Sequence, residues 1–306
     1  MGYNSINVSV GGGEMGKLFD GLKLGNSTFS VFPYDVISHL SNLSNMFPNS
    51  TYTGTEDIII PENGFPEATN INTMMGALSG ASSVNTIIKK GSFPKITSVT
   101  GVENATYGHF VGNIICVEDY AFGQSAYIAY IGGARLSCSP LAFSNAYKVD
   151  SLKRYTDVVL PGLKNVHTLW ETFSGTKMSE IIFPDTLGEN VTKINFNGTF
   201  NGATALTKIV FPSTVPILSF GFYARVFYGC TALETLEIYN ISDGSMSGTY
   251  DGFTYCTKLT VDSLMNIINA LPVSTRKSKI SLGTTNLSKL SEEQIAIATN
   301  KGWTLN

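Results

Sequence analysis

The stretch Thr199–Pro212, TFNGATALTKIVFP, is one of three near-copies. One precedes it at Thr172–Pro184 (TFSGTKMSEIIFP), and another follows at Val226–Tyr239 (VFYGCTALETLEIY). A repeat constrains the fold more than any other feature of this chain, because repeated units stabilise one another by stacking. An apolar triplet ending on proline sets the register. It occurs as Ile209-Val210-Phe211-Pro212, Ile181-Ile182-Phe183-Pro184, Val158-Val159-Leu160-Pro161, Ile58-Ile59-Ile60-Pro61 and Ser30-Val31-Phe32-Pro33. Leu236-Glu237-Ile238-Tyr239 fits without the proline. Thr86-Ile87-Ile88, Ile114-Ile115-Cys116-Val117 and Arg135-Leu136-Ser137-Cys138 are weaker matches.

A second marker keeps step with the first. Phe143, Phe173, Phe200, Phe227 and Phe253 each precede a short polar turn and then an apolar residue. In the three clean copies that residue is Met178, Leu206 or Leu233, three before Ile181, Ile209 or Leu236. A three-residue strand cannot bury its apolar face alone. Stacked on a copy of itself, it joins a parallel ladder with about 4.7–4.9 Å between strands. Proline lacks the donor that would continue the strand, so it belongs at the boundary. The expectation is a β-rich leucine-rich-repeat solenoid of short parallel strands and irregular coils, with the five phenylalanines in one internal column. Roughly nine coils would make a rod about 40 Å long.

This register divides the 306 residues into three parts. Residues 30–259 form the solenoid. Residues 1–29 form an N-terminal cap or an attachment segment, and the alternation of Ile6, Val8 and Val10 fits both. Residues 260–306 form a small α/β capping module. There Asp262 to Leu271 reads as a helix stopped by Pro272, and SKISLG reads as a strand. Ser291 starts a second helix with acids in its first turn. Gly302 ends that helix, so Trp303 and Leu305 can fold back on the last coil.

Composition narrows the partners. Charged residues make up 14% of the chain and the net charge is −3, which gives no electrostatic reason to expect nucleic acid or anionic membrane. No apolar run approaches the roughly 20 residues of a membrane helix. The N-terminus lacks the basic start and apolar core of a signal peptide. Myristoylation at Gly2 is discounted because Ile6 stands where Ser or Thr is required.

The chemistry-bearing residues do not assemble into a catalytic pattern. Gly11–Lys17 (GGGEMGK) matches most of a phosphate-cradling loop but fails at Leu18, where a magnesium-holding hydroxyl belongs. His39, His109 and His167 stand apart, without ligand spacing to any Cys or His, so neither metal nor cofactor is expected. DGSMSG carries Met246 where a nucleophile elbow needs Ser. The sequons at Asn26, Asn190 and Asn197 follow from an Asn/Ser/Thr-rich composition. Cys230 and Cys256 occupy one phase of the repeat, taken earlier by Ala203 and Thr176, and read as a small buried slot of packed thiols. Cys116 and Cys138 are expected to share one strand phase. Two insertions break the repeat: Tyr223 with Arg225, and Asn240–Gly252. Together with Tyr239, Tyr250 and Asp251 they form the candidate ligand-contact loop, because recognition gathers where loops depart from a repeat. The same loops also read as tolerated insertions.

The pattern F-x-G-C-T-x-L-x-x-[IL]-x-[IF]-P, seen nearly whole at Phe227–Leu236 and Phe200–Pro212, resembles the BspA-type leucine-rich repeat. The resemblance spans about Ser30 to Leu259 and is loosest between Gly64 and Tyr155. The ending from Leu259 onward resembles the terminal module of such proteins in gut bacteria and their phages. The resemblance implies adhesion or recognition without enzymatic activity. It leads to the expectation of a phage virion component, on the tail or particle surface, that binds a host surface glycan or protein. Other virion proteins would engage its N-terminal segment. The alternative is a secreted or cell-surface adhesin of a gut bacterium, trimmed of its signal peptide.

Overall fold

A computed structural model describes residues 23–24, 40–44, 46–47, 50–72, 79–99, 110–123, 127–128, 131–149, 152–219, 224–243 and 252–306. The chain is β-rich, with short parallel strands in several sheets. Among the described residues there are three α-helices, all beyond residue 260.

The strands fall into two principal rows. In the front row Ile58–Ile60, Thr86–Ile88, Ile114–Val117 and Arg135–Cys138 pair in that order, and Glu180–Ile182, Lys208–Val210 and Thr235–Glu237 form a second sheet. Each strand pairs in parallel with the strand one repeat later, as in Ile59↔Ile87↔Cys116↔Ser137 and Ile181↔Ile209↔Leu236. In the back row Asn42–Ser44, Asn70–Asn72, Ser98–Val99, Tyr127–Ile128 and Lys148–Val149 pair in sequence. The bridges Lys148↔Thr168 and Thr168↔Asn195 continue this row into Lys193–Asn195 and Ile217–Ser219. The side-chain period of two turns Ile58, Ile60, Ile181 and Ile209 inward and leaves Ile59 and Ile182 exposed.

The front row breaks where the sequence predicts a strand. Val158-Val159-Leu160 pairs with neither neighbour, and Val159 is 78% exposed. In earlier repeats the residue after the strand donates its N–H one repeat back: Lys89 to Ile60 O at 2.9 Å, Glu118 to Ile88 O at 3.0 Å and Ser139 to Val117 O at 2.9 Å. Pro161 stands in that place and has no N–H to give. The 3₁₀ turn Leu152–Arg154 immediately upstream bends the chain further, and buried Tyr155 anchors it by donating Oη–H to Gly132 O at 2.8 Å. Proline alone does not prevent pairing, since Lys208–Val210 also runs into Pro212 and pairs on both sides.

The five marker phenylalanines are all buried, but they occupy two columns and not one. Phe143 follows a front strand and precedes a back strand. It stacks on Phe122 at 5.9 Å, which continues to Phe93 at 5.6 Å and Phe65 at 5.3 Å. Phe173, Phe200, Phe227 and Phe253 lie at the opposite corner, after the back row. They stack at 5.8, 5.7 and 4.6 Å. The two corners present equivalent hollows, and Leu163, also buried, takes the place of Phe143 in the following repeat.

The C-terminal elements close the last front strand. The helix Val261–Ala270 is capped by Thr260, whose Oγ1 accepts from Ser263 N. The helix Glu292–Asn300 carries a full capping box between Ser291 and Gln294. Lys279–Ile280 pairs in parallel with Thr304–Leu305. Trp303 is buried and donates Nε1–H to Pro272 O at 2.7 Å. No helix among the described residues is long and apolar enough to cross a membrane.

Candidate functional site

Of the loop residues expected to touch a ligand, Tyr223, Tyr250 and Asp251 lie outside the described residues, as do His39, His109 and the glycine-rich Gly11–Lys17. Arg225 is exposed, with a left-handed backbone at φ 44°, and its guanidinium lies 6.0 Å from the Tyr228 ring. Tyr228 meets Tyr255 edge-on at 5.0 Å. Tyr239 is half-buried and packs against the core, so it offers a partner less surface than expected.

The cysteines separate by phase. Cys230 and Cys256 are free and buried, in the slot that Thr176 and Ala203 fill elsewhere. Cys116 and Cys138 do not share a strand phase: Cys116 is opposite Ser137, and Cys138 is opposite Val117. One position of offset in a strand turns a side chain to the other face. Cys138 instead lines a cavity of about 280 Å³ at the break in the front row, with Pro140, Leu141, Val159, Leu160 and Pro184 among its walls. Burial pushes the Cys138 thiol well above its ordinary pKa, with Cys116 adding to the shift. A thiol held neutral in this way is a poor nucleophile.

Among the described residues, exposed aromatic side chains gather along the back row, at its strand Lys148–Val149 and the turn after Thr168. Tyr127, Lys148 and Thr168 share one position in consecutive repeats. The Lys148 ammonium lies 5.2 Å from the Tyr127 ring and 5.4 Å from the Trp170 ring, bracketed from both sides. One residue upstream, Tyr147 stacks on His167 at 4.8 Å and 21°. Thr168 Oγ1 accepts from the Trp170 backbone N–H at 3.1 Å, fixing the turn that swings the indole outward. In the next repeat Asn195 Oδ1 accepts from Asn197 N at 3.1 Å in the same way. Trp170 is 52% exposed and Tyr147 47% exposed. The arrangement offers aromatic surface bordered by hydroxyl, amide and ammonium groups.

No family model, no curated protein and no solved structure matches this chain. The site therefore rests on its own geometry. The sequence carries a signal for it outside the two repeat markers: Tyr147 stands four residues after Phe143, and His167 four after Leu163. Seeing that relation requires treating Leu163 as the equivalent of phenylalanine.

Among the described residues, no group of three or more His, Cys, Asp or Glu side chains is placed to hold a metal ion.

Proposed function

We propose that this chain is a leucine-rich-repeat solenoid that works as a non-enzymatic recognition protein on a phage particle, binding a host surface glycan or protein. The observation that carries the reading is the exposed ring group Tyr147, His167 and Trp170, mounted on consecutive parallel repeats. Stacked repeats hold surface side chains at a fixed pitch, which suits recognition of an extended partner. Aromatic rings give large contact area with few torsions to freeze. Placement on a virion rests on the resemblance of the terminal module described above.

Two measurements test the reading. Labelled protein is mixed with candidate gut-bacterial host cells and binding is followed by flow cytometry, with saturable binding expected. Purified particles are probed with antibody to the chain by immunogold microscopy, and label is expected at the tail or particle surface. Absence of saturable binding across the hosts that the particle infects defeats the recognition role. Unlabelled particles defeat the placement.

A further inference from the structure

We infer that the outward back-row face at Tyr147, His167 and Trp170 is a sugar-binding site that takes neutral pyranose units of an oligosaccharide. The inference deepens the recognition reading and rests on it.

The pitch comes first. Tyr147 and His167 sit in adjacent repeats with ring centroids 4.8 Å apart, the spacing of a parallel ladder. Trp170 follows His167 by three residues in the same repeat, and its ring lies 5.4 Å from the ammonium of Lys148, the residue next to Tyr147. Stacked face to face at 21°, Tyr147 and His167 turn their ring edges outward, so the ring faces open to a sugar are the outer faces of that pair and the Trp170 face turned away from Lys148. Pyranose rings have a face of C–H groups, weakly positive at hydrogen, which packs against the negative face of an aromatic ring.

The border comes next. A sugar also needs partners for its hydroxyls at the edge of the stacking face. The half-buried Asn195 and Asn197 and the exposed Lys193 of the next repeat are of that kind, whereas Thr168 is buried and serves the Trp170 turn. Ile59 and Ile182 are exposed on the front row and Val159 at its break, while among the described back-row strands Ile217, opposite Lys193, is the exposed aliphatic side chain. A dry protein interface draws on contiguous apolar area at its core, with charge depleted there. The back-row face alternates ring with polar group, which suits a polyhydroxylated ligand better than a protein.

Pre-organisation completes the case. The Trp170 side chain is held by Lys148 on one side, and its turn is fixed by Thr168. Gly198 of the next repeat lies close by: a Cβ there would come within 3.8 Å of Trp170 Cδ1 and 3.0 Å of Glu171 Cγ. A ring already fixed in place costs less entropy on binding.

Trp170 reports on its own site, because the chain has two tryptophans and the other, Trp303, is 2% exposed. The experiment titrates the full chain with neutral hexose oligomers (gluco-, manno- and galacto-hexaoses) and follows tryptophan emission and its quenching by iodide. At least one oligomer is expected to shift the emission to the blue and to protect it severalfold from iodide. Trp170→Ala and Tyr147→Ala are each expected to weaken binding of that oligomer at least tenfold, measured by calorimetry. Trp170→Phe should retain most of the affinity, and unchanged circular-dichroism melts verify folding. No protection by any oligomer, or tenfold weakening absent from the Tyr147→Ala/Trp170→Ala double variant, overturns the assignment. Host-cell binding separates the two claims. If wild type and double variant bind cells equally, the recognition role stands and this site falls. If wild type does not bind at all, the recognition reading itself falls.

Discussion

The backbone N–H of Leu236 donates to Ser263 Oγ at 3.0 Å, so a helix side chain continues the ladder that ends at Thr235–Glu237. Asn266 repeats the device one helical turn later, its Oδ1 accepting from Ile238 N, and Ser263 Oγ also donates to Glu234 O at 3.0 Å. An open strand edge invites pairing with other chains, and here two side chains on one helix face close it. Ser263→Ala leaves the buried Leu236 N–H without a partner. It should cost about 1–3 kcal/mol in urea unfolding, whereas Ser263→Thr, which keeps the hydroxyl, should lose less. Equal losses for the two variants would show that the hydroxyl does not close the edge.

Cys230 and Cys256 repeat one geometry. Each thiol donates to the carbonyl of the phenylalanine in the preceding repeat, Cys230 to Phe200 O at 3.2 Å and Cys256 to Phe227 O at 3.5 Å. Hydrogen bonding with Cys230 and burial raise the Cys256 pKa well above its ordinary value. The Cys256 thiolate forms poorly and both sulfurs are buried away from reagent, so native protein at pH 8 should alkylate with iodoacetamide at these positions far more slowly than protein in urea. Mass mapping of the labelled sites checks this. Rapid native labelling of Cys256 would place it at the surface.

Part of this architecture was open to sequence reasoning, and the reasons differ by element. The front strands at Ile58–Ile60, Glu180–Ile182 and Lys208–Val210 were legible because each carries or runs into an inward-outward-inward apolar triplet (Ile58–Ile60, Ile181–Phe183 and Ile209–Phe211), which is a local signature. The helix capping at Ser291 was legible for the same reason. The break at Val158–Leu160 was not. Its triplet is as apolar as the others, and the obstruction comes from Pro161 acting together with the Tyr155 anchor to Gly132. The division of the phenylalanines was hidden because both corners of a repeat accept the same side chain. Phase is fixed only by which row precedes each one. The aromatic face was missed because its members follow Phe143 and Leu163, two residues that only the backbone shows to be equivalent.

Glu118 supplies a pH prediction. Lys89 Nζ donates to its Oε1 at 2.6 Å and Lys90 N to its Oε2 at 3.1 Å, and these bonds, the Lys89 one foremost, hold its pKa below the ordinary carboxylate value. A depressed carboxylate contributes stability that is fully present above its unfolded pKa of about 4.3 and lost as pH falls through the lower folded value. Both side chains are partly exposed, so screening keeps the contribution under about 1 kcal/mol. Glu118→Gln should therefore be slightly less stable than wild type at pH 7, and the two should converge below pH 3. Urea titrations at both values check it, and a gap that widens on acidification contradicts the pairing.

The two-column arrangement predicts unequal tolerance to the same kind of substitution. Phe200 touches rings on several sides: Phe173 at 5.8 Å, Phe227 at 5.7 Å, and Phe196 edge-on at 5.5 Å. Truncating it to alanine opens a cavity that neighbouring repeats cannot fill without shifting, at a cost of about 3–5 kcal/mol. Phe143 ends its aromatic column, and the repeat that follows already carries leucine at the equivalent place, Leu163. Phe143→Leu should thus cost about 1 kcal/mol, while Phe200→Leu, set between two stacked rings, should cost distinctly more. Chemical denaturation of the three variants decides the matter. Equal losses for the two leucine variants would mean that the columns are energetically one, and that the phase difference between Phe143 and Phe173 carries no consequence for stability.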